Sequence, residues 1–529
     1  MAQALKFWLT LNPQLLHAQS SLKRVLYMEA SAREVNAVSL QPLAGEAGTL
    51  NDRVEHGHAP ANGNPLFEQM EKPWANSRSF LFDVFALTVT ASVVGVFSYF
   101  YGYVVGDLLE EWLSAAGGRD YPEAYLGEGA ILGCPLWIPL CWAGATAVGV
   151  LKWAVGLDAV DSFLVEIRHQ HCDTLPGLKT CVCCMASLLM GAALGPEAGL
   201  ASIGGGVGTL IARLSTQLGP EWEREADSRR RLLVLGGISA AFGTIMPAPW
   251  VSMLICVECS LLKDDEEGER LTLFGRRTLF LLGFTATVAF VVRYAVKEIP
   301  RLPNLQAAVE AHGESYDNLM ALKAVLIGII SAFAALVYII IGAIVKGAFT
   351  KVGVALERKF GKPGRIIGLC SLAGLVTGVL GYVVPLSLTS GKEAMFPTIA
   401  HSVSFLGKKE LSAGTLLSIA IAKSASFGAA SAGGLVGGPF FPVLYIGVIV
   451  GELCAKLPIA WSVYPAAFTI PVAMVALPCA VFPLPFSMVA LPLSFFHLGP
   501  LWCVPILAGI LTSYTLIVGT GFVKKLAKQ

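Results

Sequence analysis

One carboxylate, Glu197, stands inside an apolar stretch of the sequence, directly after the pair Gly195-Pro196. Proline suits the first turn of a helix, because the N–H that it lacks would have no partner there, so the pair predicts a helix that begins near Pro196. A helix start exposes free N–H groups and a partial positive charge. We expect Glu197 to compete with an anion for those groups and to leave when protonated, although a carboxylate that only offsets the helix dipole has the same pattern.

The Gly-Pro pair recurs as Gly438-Pro439, at an offset of 243 residues (438 − 195). Two pairs of glycines coincide at the same offset: Gly204 with Gly447, and Gly208 with Gly451. A second motif, 246–250, resembles 482–486, with an offset of 236 (483 − 247) between its prolines. Motifs that recur in the same order predict two structurally related halves, and Gly/Pro breaks at corresponding places indicate a transport site near the membrane midplane.

Two helix starts that meet inside a membrane form an anion site without a full positive charge, which favours release as well as binding. Proline cannot donate a hydrogen bond, whereas the two residues after Pro439 can. The backbone amides of Phe440 and Phe441 are therefore the expected donors at the second start. The candidate anion-binding residues at the two starts are Gly195, Ala198, Gly438, Phe440 and Phe441.

Glu258 and Lys423 are the other isolated charges in apolar stretches. Glu258 lies close to the charged loop that starts at Lys263, so a solvated helix end with a snorkelling side chain is expected there. Lys423 precedes a run of small residues, 428–434, which predicts close helix packing. Its ammonium group either holds carbonyl groups at a helix end or lines a cavity, and the sequence does not choose between the two.

A cluster of histidines and cysteines lies upstream of Glu197 and consists of His169, His171, Cys172, Cys181, Cys183 and Cys184. Cys181 and Cys184 are spaced to share a helix face. Soft-metal binding is one interpretation, but the spacing matches no standard zinc pattern, and thiols in an apolar helix are usually packing residues. We therefore predict neither a metal nor a cofactor.

The elements that position these residues follow from the composition of the 529-residue chain. Hydrophobic residues make up 55% and charged residues only 14%, whereas an ordinary soluble domain is about 25% charged. Mean hydropathy is +0.65 and the formal net charge is +1, which excludes a disordered, fibrous or nucleic-acid-coating protein and argues against an enzyme. Apolar runs, among them 321–348 and 364–388, follow one another from Phe80 onward, and Gly and Pro break several of them. Since broken helices at membrane depth need a covered cavity, the sequence predicts an all-α polytopic membrane protein that acts as a transporter or channel.

The polar part of the chain is its beginning. Residues 1–78 contain no apolar run of spanning length, which predicts a disordered polar tail. Residues 1–28 lack Asp and Glu, so a weak organelle-targeting signal is an alternative to a solvated amphipathic helix. The membrane domain is expected over 79–525, with related halves at about 79–300 and 320–525 and no soluble domain after it.

The motifs resemble those of the CLC family of chloride channels and chloride/proton antiporters. The segment 194–199 is similar to the family's G-(K/R)-E-G-P motif, and 437–442 is similar to its G-G-x-F-x-P motif. Pro249 and Pro485 resemble the family's paired helix breaks, and Lys423 stands where the family often has a basic residue. The resemblance implies a homodimer with one pore in each subunit, built from an inverted repeat of short tilted and broken helices. It also implies chloride or a similar small anion as substrate, contact with membrane lipid, and Glu197 as the gating glutamate.

Three positions depart from the family's pattern. The anion-coordinating serine is either absent or displaced to Ser162, and no counterpart of the pore tyrosine is found near Gly499-Pro500. Cys259 stands where the family's antiporters have a second glutamate. A thiol in apolar surroundings stays protonated at neutral pH and relays protons poorly. The neighbouring Glu258 points about 100° away on a helix.

These features predict an anion channel that conducts passively and is gated by Glu197. The main alternative is a proton-coupled chloride or nitrate antiporter that uses Glu258 in place of the missing second glutamate. A non-conducting relative with a structural or sensing role, or a membrane metalloprotein built on the histidine–cysteine cluster, are further alternatives. The membrane in which the protein resides, plasma or organelle, is not determined by the sequence.

Overall fold

The computed structural model describes residues 77–127, 131–158, 163–217, 226–246, 248–261, 276–296, 304–305, 319–403, 411–457 and 466–520. Within these ranges every regular element is a helix, and the β-structure is a single isolated bridge. The predicted tail lies outside the described residues except at its end, where the first helix begins at Ser77. Ser162 also lies outside them.

The α-helices of the described residues follow one another with short connections. In chain order they are α1 Ser77–Gly102, α2 Leu108–Gly117, α3 Trp137–Val155, α4 Phe163–His169, α5 Thr174–Leu189, α6 Glu197–Thr216, α7 Ala226–Ile245, α8 Pro249–Leu261, α9 Arg276–Tyr294, α10 Met320–Val383, α11 Lys392–Val403, α12 Ala413–Ala432, α13 Phe440–Ala455, α14 Ala466–Val481, α15 Pro485–Phe495 and α16 Cys503–Tyr514. Short 3₁₀ and π turns accompany them at Tyr103–Asp107, Glu123–Tyr125, Pro385–Ser387, Pro500–Trp502 and Thr515–Gly519.

Six of these helical stretches are long and apolar enough to cross a membrane: Phe80–Gly117, Trp137–Val155, Arg277–Tyr294, Met320–Val383, Ala413–Ala432 and Pro500–Gly519. Five apolar helices are shorter, and α13 and α15 are among them. A helix needs about 20 apolar residues to span the bilayer, so the shorter ones are too short to cross it by themselves. The predicted all-α polytopic membrane fold, with short and broken helices, is confirmed.

The segment α10 contains two helices, in agreement with the expectation of separate helices at 321–348 and 364–388. Its 64 residues are divided at Gly361, where the backbone leaves the helical conformation with a φ of 69°. This φ is left-handed, a conformation that glycine adopts without steric cost. Hydropathy marked the apolar part of the first helix and missed its charged end, because charged residues such as Lys and Glu form helices well.

The repeated glycines bring helices into close contact in both halves. In the first half, a Cβ at Gly204 would collide with the carbonyl of Gly237, so α6 and α7 pack backbone to backbone. In the second half, a Cβ at Gly447 would lie 2.7 Å from the Cα of Met474, so α13 and α14 pack in the same way. Small residues permit such approach between membrane helices, and the repeat in sequence therefore corresponds to a repeat in packing.

The two halves meet at the Gly-Pro pairs. Gly195 donates its N–H to the carbonyl of Gly438 over 2.6 Å, and Gly438 donates its N–H to the carbonyl of Gly195 over 2.8 Å. This antiparallel bridge joins residues that occupy the same place in each half. A reciprocal contact between equivalent residues is what a two-fold relation produces, as an inverted repeat requires.

Candidate anion site

The site is built around two helix starts, and both begin where the sequence predicted. α6 begins at Glu197 directly after Pro196, and α13 begins at Phe440 directly after Pro439. The N–H of Leu200 donates to the carbonyl of Pro196, and that of Val443 to the carbonyl of Pro439, each over 3.1 Å. The amides before them in each first turn have no acceptor within their own helix.

The carboxylate of Glu197 connects one helix start to the other. Its Oε1 accepts a hydrogen bond of 2.5 Å from the backbone N–H of Phe440. Its Oε2 is buried without a hydrogen-bond partner in the described part of the chain. The whole residue is inaccessible to solvent. A side chain from the first half therefore lies at the start of the second half's helix, where the helix start would attract an anion.

The candidate glycines contribute space and not donors. Because the amides of Gly195 and Gly438 are engaged with each other, they are not available to an anion in this arrangement. A Cβ at either position would collide with the carboxylate of Glu197, so glycine is required for the side chain to lie there. Ala198 and Phe441 are buried in the first turns of α6 and α13, where their amides face no acceptor within the helix.

Lys423 holds carbonyl groups, which decides between its two interpretations. Its Nζ donates to the carbonyl oxygens of Leu388 (2.5 Å) and Thr389 (2.8 Å), and the residue is fully buried. The ammonium group also lies 5.4 Å from the centre of the Tyr445 ring on α13. Thr389 has a left-handed φ of 61° and donates its N–H to Gly191, in the segment before α6. Lys423 thus fixes a loop that joins the two halves beside the site.

Sequence reasoning missed Lys392, which follows that loop as the first residue of α11. Its Nζ lies 5.8 Å from the centre of the Phe441 ring. The Lys392 N–H donates to Ser390 Oγ, and Ser390 Oγ donates to Glu393 Oε2 over 2.7 Å, which orders the helix start. A cation over an aromatic face is attracted by the ring. The one available signal was a lysine next to a glycine turn, a pattern that is common at protein surfaces.

The expectation for Glu258 is wrong. Its carboxylate is not a snorkelling group at a solvated helix end, since the residue is only 6% exposed. Oε1 accepts a 2.8 Å hydrogen bond from the N–H of Phe486, while Oε2 accepts from both the N–H (2.6 Å) and the hydroxyl of Ser487. These donors are in the first turn of α15, so Glu258 neutralises a helix start instead of reaching toward the loop at Lys263.

The thiols lie in the packed interior. Cys259 is fully buried, and so are Cys181, Cys183 and Cys184 on α5. Cys184 Sγ accepts a hydrogen bond of 3.1 Å from the hydroxyl of Tyr101 on α1. The described residues include no group of three or more histidine, cysteine, aspartate or glutamate side chains arranged to hold a metal ion.

A family model described as "Voltage gated chloride channel" matches residues 164–517, two thirds of the chain, including both helix starts. The chain belongs to this family. No curated protein matches its sequence.

Solved structures with the same fold include three CLC proteins. A slow cyanobacterial Cl⁻/H⁺ antiporter matches with a TM-score of 0.60 and 17% identity, over 84% of this chain and 98% of its own. A CLC-type fluoride/proton antiporter matches with a TM-score of 0.55 and 14% identity, over 84% and 96%. A eukaryotic CLC transporter matches with a TM-score of 0.55 and 15% identity, over 83% and 72%. The protein has the CLC fold of anion transporters and channels and is an integral, multi-pass membrane protein.

Proposed function

We propose that the protein conducts chloride-like anions passively and that Glu197 is its gate. One observation carries the proposal: the Glu197 carboxylate accepts the N–H of Phe440 at the start of the opposite half's helix. A carboxylate oxygen in that position is a stand-in for a permeating anion. While it stays there, the path is closed.

Protonation of Glu197 opens the path. A neutral carboxyl group is held less strongly by the partial positive charge of a helix start than a carboxylate is. When it moves away, the amides of Phe440 and Phe441 become available to an incoming anion. The described first turns of α6 and α13 hold no lysine or arginine, so binding is weak enough for the anion to leave again.

The surroundings of Glu258 favour uncoupled conduction. A coupled antiporter needs a second titratable group that passes protons to Glu197 from the side that the anion path does not serve. Glu258 has both oxygens bound by the start of α15. Cys259 is a buried thiol and stays protonated at neutral pH.

A proton-coupled antiporter is the second candidate, because two of the similar structures are described as chloride/proton and fluoride/proton antiporters. The discriminating experiment uses purified protein in liposomes with an imposed anion gradient and no proton gradient. We expect anion flux without sustained uphill proton movement. Proton movement at a fixed anion-to-proton ratio that Glu258→Gln abolishes would establish the antiporter. The absence of anion flux at every pH would contradict both candidates.

We also infer a homodimer with one path in each subunit. The support is membership of the family, whose members typically assemble in this way. Mass determination in detergent, corrected for bound detergent, should give two chains per particle. A monomeric mass in several mild detergents would contradict the assembly without touching the gate.

A further inference from the structure

Lys152 is a buried lysine in the last turn of α3, and it is only 3% exposed. Its Nζ donates a hydrogen bond to the carbonyl oxygen of Gly434, just beyond the end of α12. Gly434 has a left-handed φ of 79°, and a Cβ there would lie 3.3 Å from Nζ. The carbonyl groups at the end of a helix lack partners within it, and the helix dipole stabilises a cation beside them. The ammonium group therefore serves the ends of two helices, α3 and α12.

The residues between α12 and α13, 433–439, form a connecting segment that leads directly to the second helix start. Helices on both sides hold this segment. Cys370 Sγ on α10 donates to the carbonyl of Gly433 over 3.3 Å, and the N–H of Val436 donates to Ser187 Oγ on α5 over 3.0 Å. Together with the Lys152 hydrogen bond, these contacts fix the backbone of the connecting segment before it reaches the anion site.

The connecting segment determines where the amides of the second helix start lie. Gly438, four residues after Gly434, forms the bridge with Gly195, and the N–H of Phe440 binds Glu197. Backbone amides have no side-chain torsions with which to adjust their direction. Preorganised donors must be held within a few tenths of an ångström by the groups around them, so a contact at Gly434 acts on an anion site that it does not touch.

Lys152 also lines a cavity of about 280 Å³ between α3, α10 and α12, which is large enough for several waters. Two ion pairs, Asp158–Lys362 and Glu357–Arg365, lie beside it, and their side chains are 41–59% exposed. Three of these four residues, Asp158, Glu357 and Arg365, line the cavity. Small solutes from the aqueous side can therefore reach the position of the Lys152 side chain.

We propose that Lys152 is a positioning residue for the anion site. It holds the connecting segment at Gly434 so that the amides of Phe440 and Phe441 point toward Glu197 in the closed state and toward an anion in the open state. The inference rests on the proposed function, because it assigns to these amides the role of anion donors. Lys152 itself contacts neither the anion nor the gate.

The cavity allows a chemical rescue of the missing side chain. Lys152→Ala removes an ammonium group and three carbons, which are the atoms of propylammonium. Added propylammonium can enter the vacated space and donate to Gly434 again. Lys152→Met fills the space with an apolar side chain and should not be rescued, whereas Lys152→Arg keeps a donor and should resemble the wild type. The matched control is Lys362→Gln, which removes a lysine beside the same cavity that pairs with Asp158 and not with the connecting segment.

Hydrogen exchange of the full-length protein in detergent, followed by mass spectrometry, measures the position of the segment without any transport. We expect Lys152→Ala to speed exchange in peptides that cover 434–441 by about threefold to tenfold, the usual effect of losing one hydrogen bond. Propylammonium gluconate should reverse this change in Lys152→Ala and not in Lys152→Met. Lys362→Gln should exchange like the wild type. Unchanged exchange over 434–441 in both Lys152→Ala and Lys152→Met, or an equal increase throughout the chain, would overturn the proposal.

Anion flux in liposomes then separates positioning from a purely structural role. The anion concentration that gives half-maximal flux should rise about threefold to tenfold in Lys152→Ala, with little change in maximal flux, because the donors are displaced but still present. Propylammonium gluconate should lower that concentration again. A structural role would reduce maximal flux through loss of folded protein and leave the half-maximal concentration unchanged, which would contradict the proposal. If the wild type carried no anion, the proposed function would fail, whereas hydrogen exchange would still decide whether Lys152 positions the segment.

Discussion

Two glutamates of the first half reach helix starts of the second half, and they are bound very differently. Glu197 gives one oxygen to one N–H of α13 and leaves the other without a partner among the described residues. Glu258 gives both oxygens to the start of α15 and accepts three hydrogen bonds. α8, which carries Glu258, and α15 are themselves related by the repeat, since they begin 236 residues apart (485 − 249).

The difference shows that one kind of interaction serves two purposes. A carboxylate at a helix start is stabilised by free amides and the helix dipole, but the number of bonds decides how easily it leaves. A buried carboxylate with an unsatisfied oxygen is costly to keep, so Glu197 is poised to be released. Glu258 is fully satisfied, so we interpret it as a fixed tie between the halves. Four predictions test this distinction.

The largest effect is expected from Glu197→Gln. A glutamine is not charged, so the helix start holds it less strongly, and it does not respond to pH. A hydrogen bond to a charged group is worth about 1.5–3 kcal/mol, so anion flux at neutral pH should rise by one to two orders of magnitude. The wild-type flux should increase as pH falls, because protonation releases the gate, whereas the variant should be insensitive to pH.

Anion flux in liposomes, followed with a fluorescent reporter between pH 5 and pH 8, measures both the size of the flux and its dependence on pH. The matched control is Glu258→Gln, which should keep the wild-type pH dependence. If Glu197→Gln retained that dependence, Glu197 would not be the gate.

Glu258→Ala should reduce stability and leave gating intact. Its removal leaves the amides of Phe486 and Ser487 without their carboxylate acceptor, and Ser487 is buried, so the expected cost is about 2 kcal/mol. The midpoint of thermal unfolding in detergent, followed by tryptophan fluorescence, should fall by a few degrees. Glu197→Gln should change that midpoint less, because Glu258 accepts three hydrogen bonds from the described residues and one of the Glu197 oxygens has no partner among them. A larger loss of stability at position 197 than at 258 would reverse the comparison.

Amide-to-ester substitution compares the two donors directly. The α-hydroxy analogue of phenylalanine at position 440 removes the N–H that holds Glu197 and keeps the ring. We expect anion flux at neutral pH to rise by a few fold, because the closed state loses the hydrogen bond that holds Glu197. The pH dependence of the flux should shift for the same reason. The same substitution at Phe486 removes one of three bonds to Glu258 and should affect thermal stability alone. Identical effects of the two esters on flux would show that the two helix starts are not specialised.

The smallest effect is expected from Lys392, which tests how far the site extends. Lys392→Gln removes a positive charge near Phe441, so the anion concentration that gives half-maximal flux should rise about twofold to fivefold, in line with a cation–π and charge contribution of about 0.5–1 kcal/mol. Lys392→Arg keeps the positive charge and should leave this anion concentration at its wild-type value. The control is Lys351→Gln, at an exposed position of α10. An equal change in both glutamine variants would indicate a general charge effect.

Much of the local structure was predictable, because it follows from interactions between near neighbours in the chain. The helix starts at Glu197 and Phe440 follow from proline, and the membrane fold follows from hydropathy. Glu258 was misjudged for a physical reason: its partners Phe486 and Ser487 are more than 200 residues away. The charged end of the first helix of α10, before Gly361, was missed because hydropathy does not report helix propensity.

The sequence by itself determined that the chain is a membrane protein with two related halves and an acidic residue at a broken helix. Proline, glycine and apolar runs act locally, so their consequences do not depend on the rest of the fold. Only the tertiary structure decided which helix start each carboxylate meets. It placed Glu197 on Phe440, Glu258 on Ser487 and Lys152 on Gly434, because contacts between distant segments arise from packing and leave no periodic signal in the sequence.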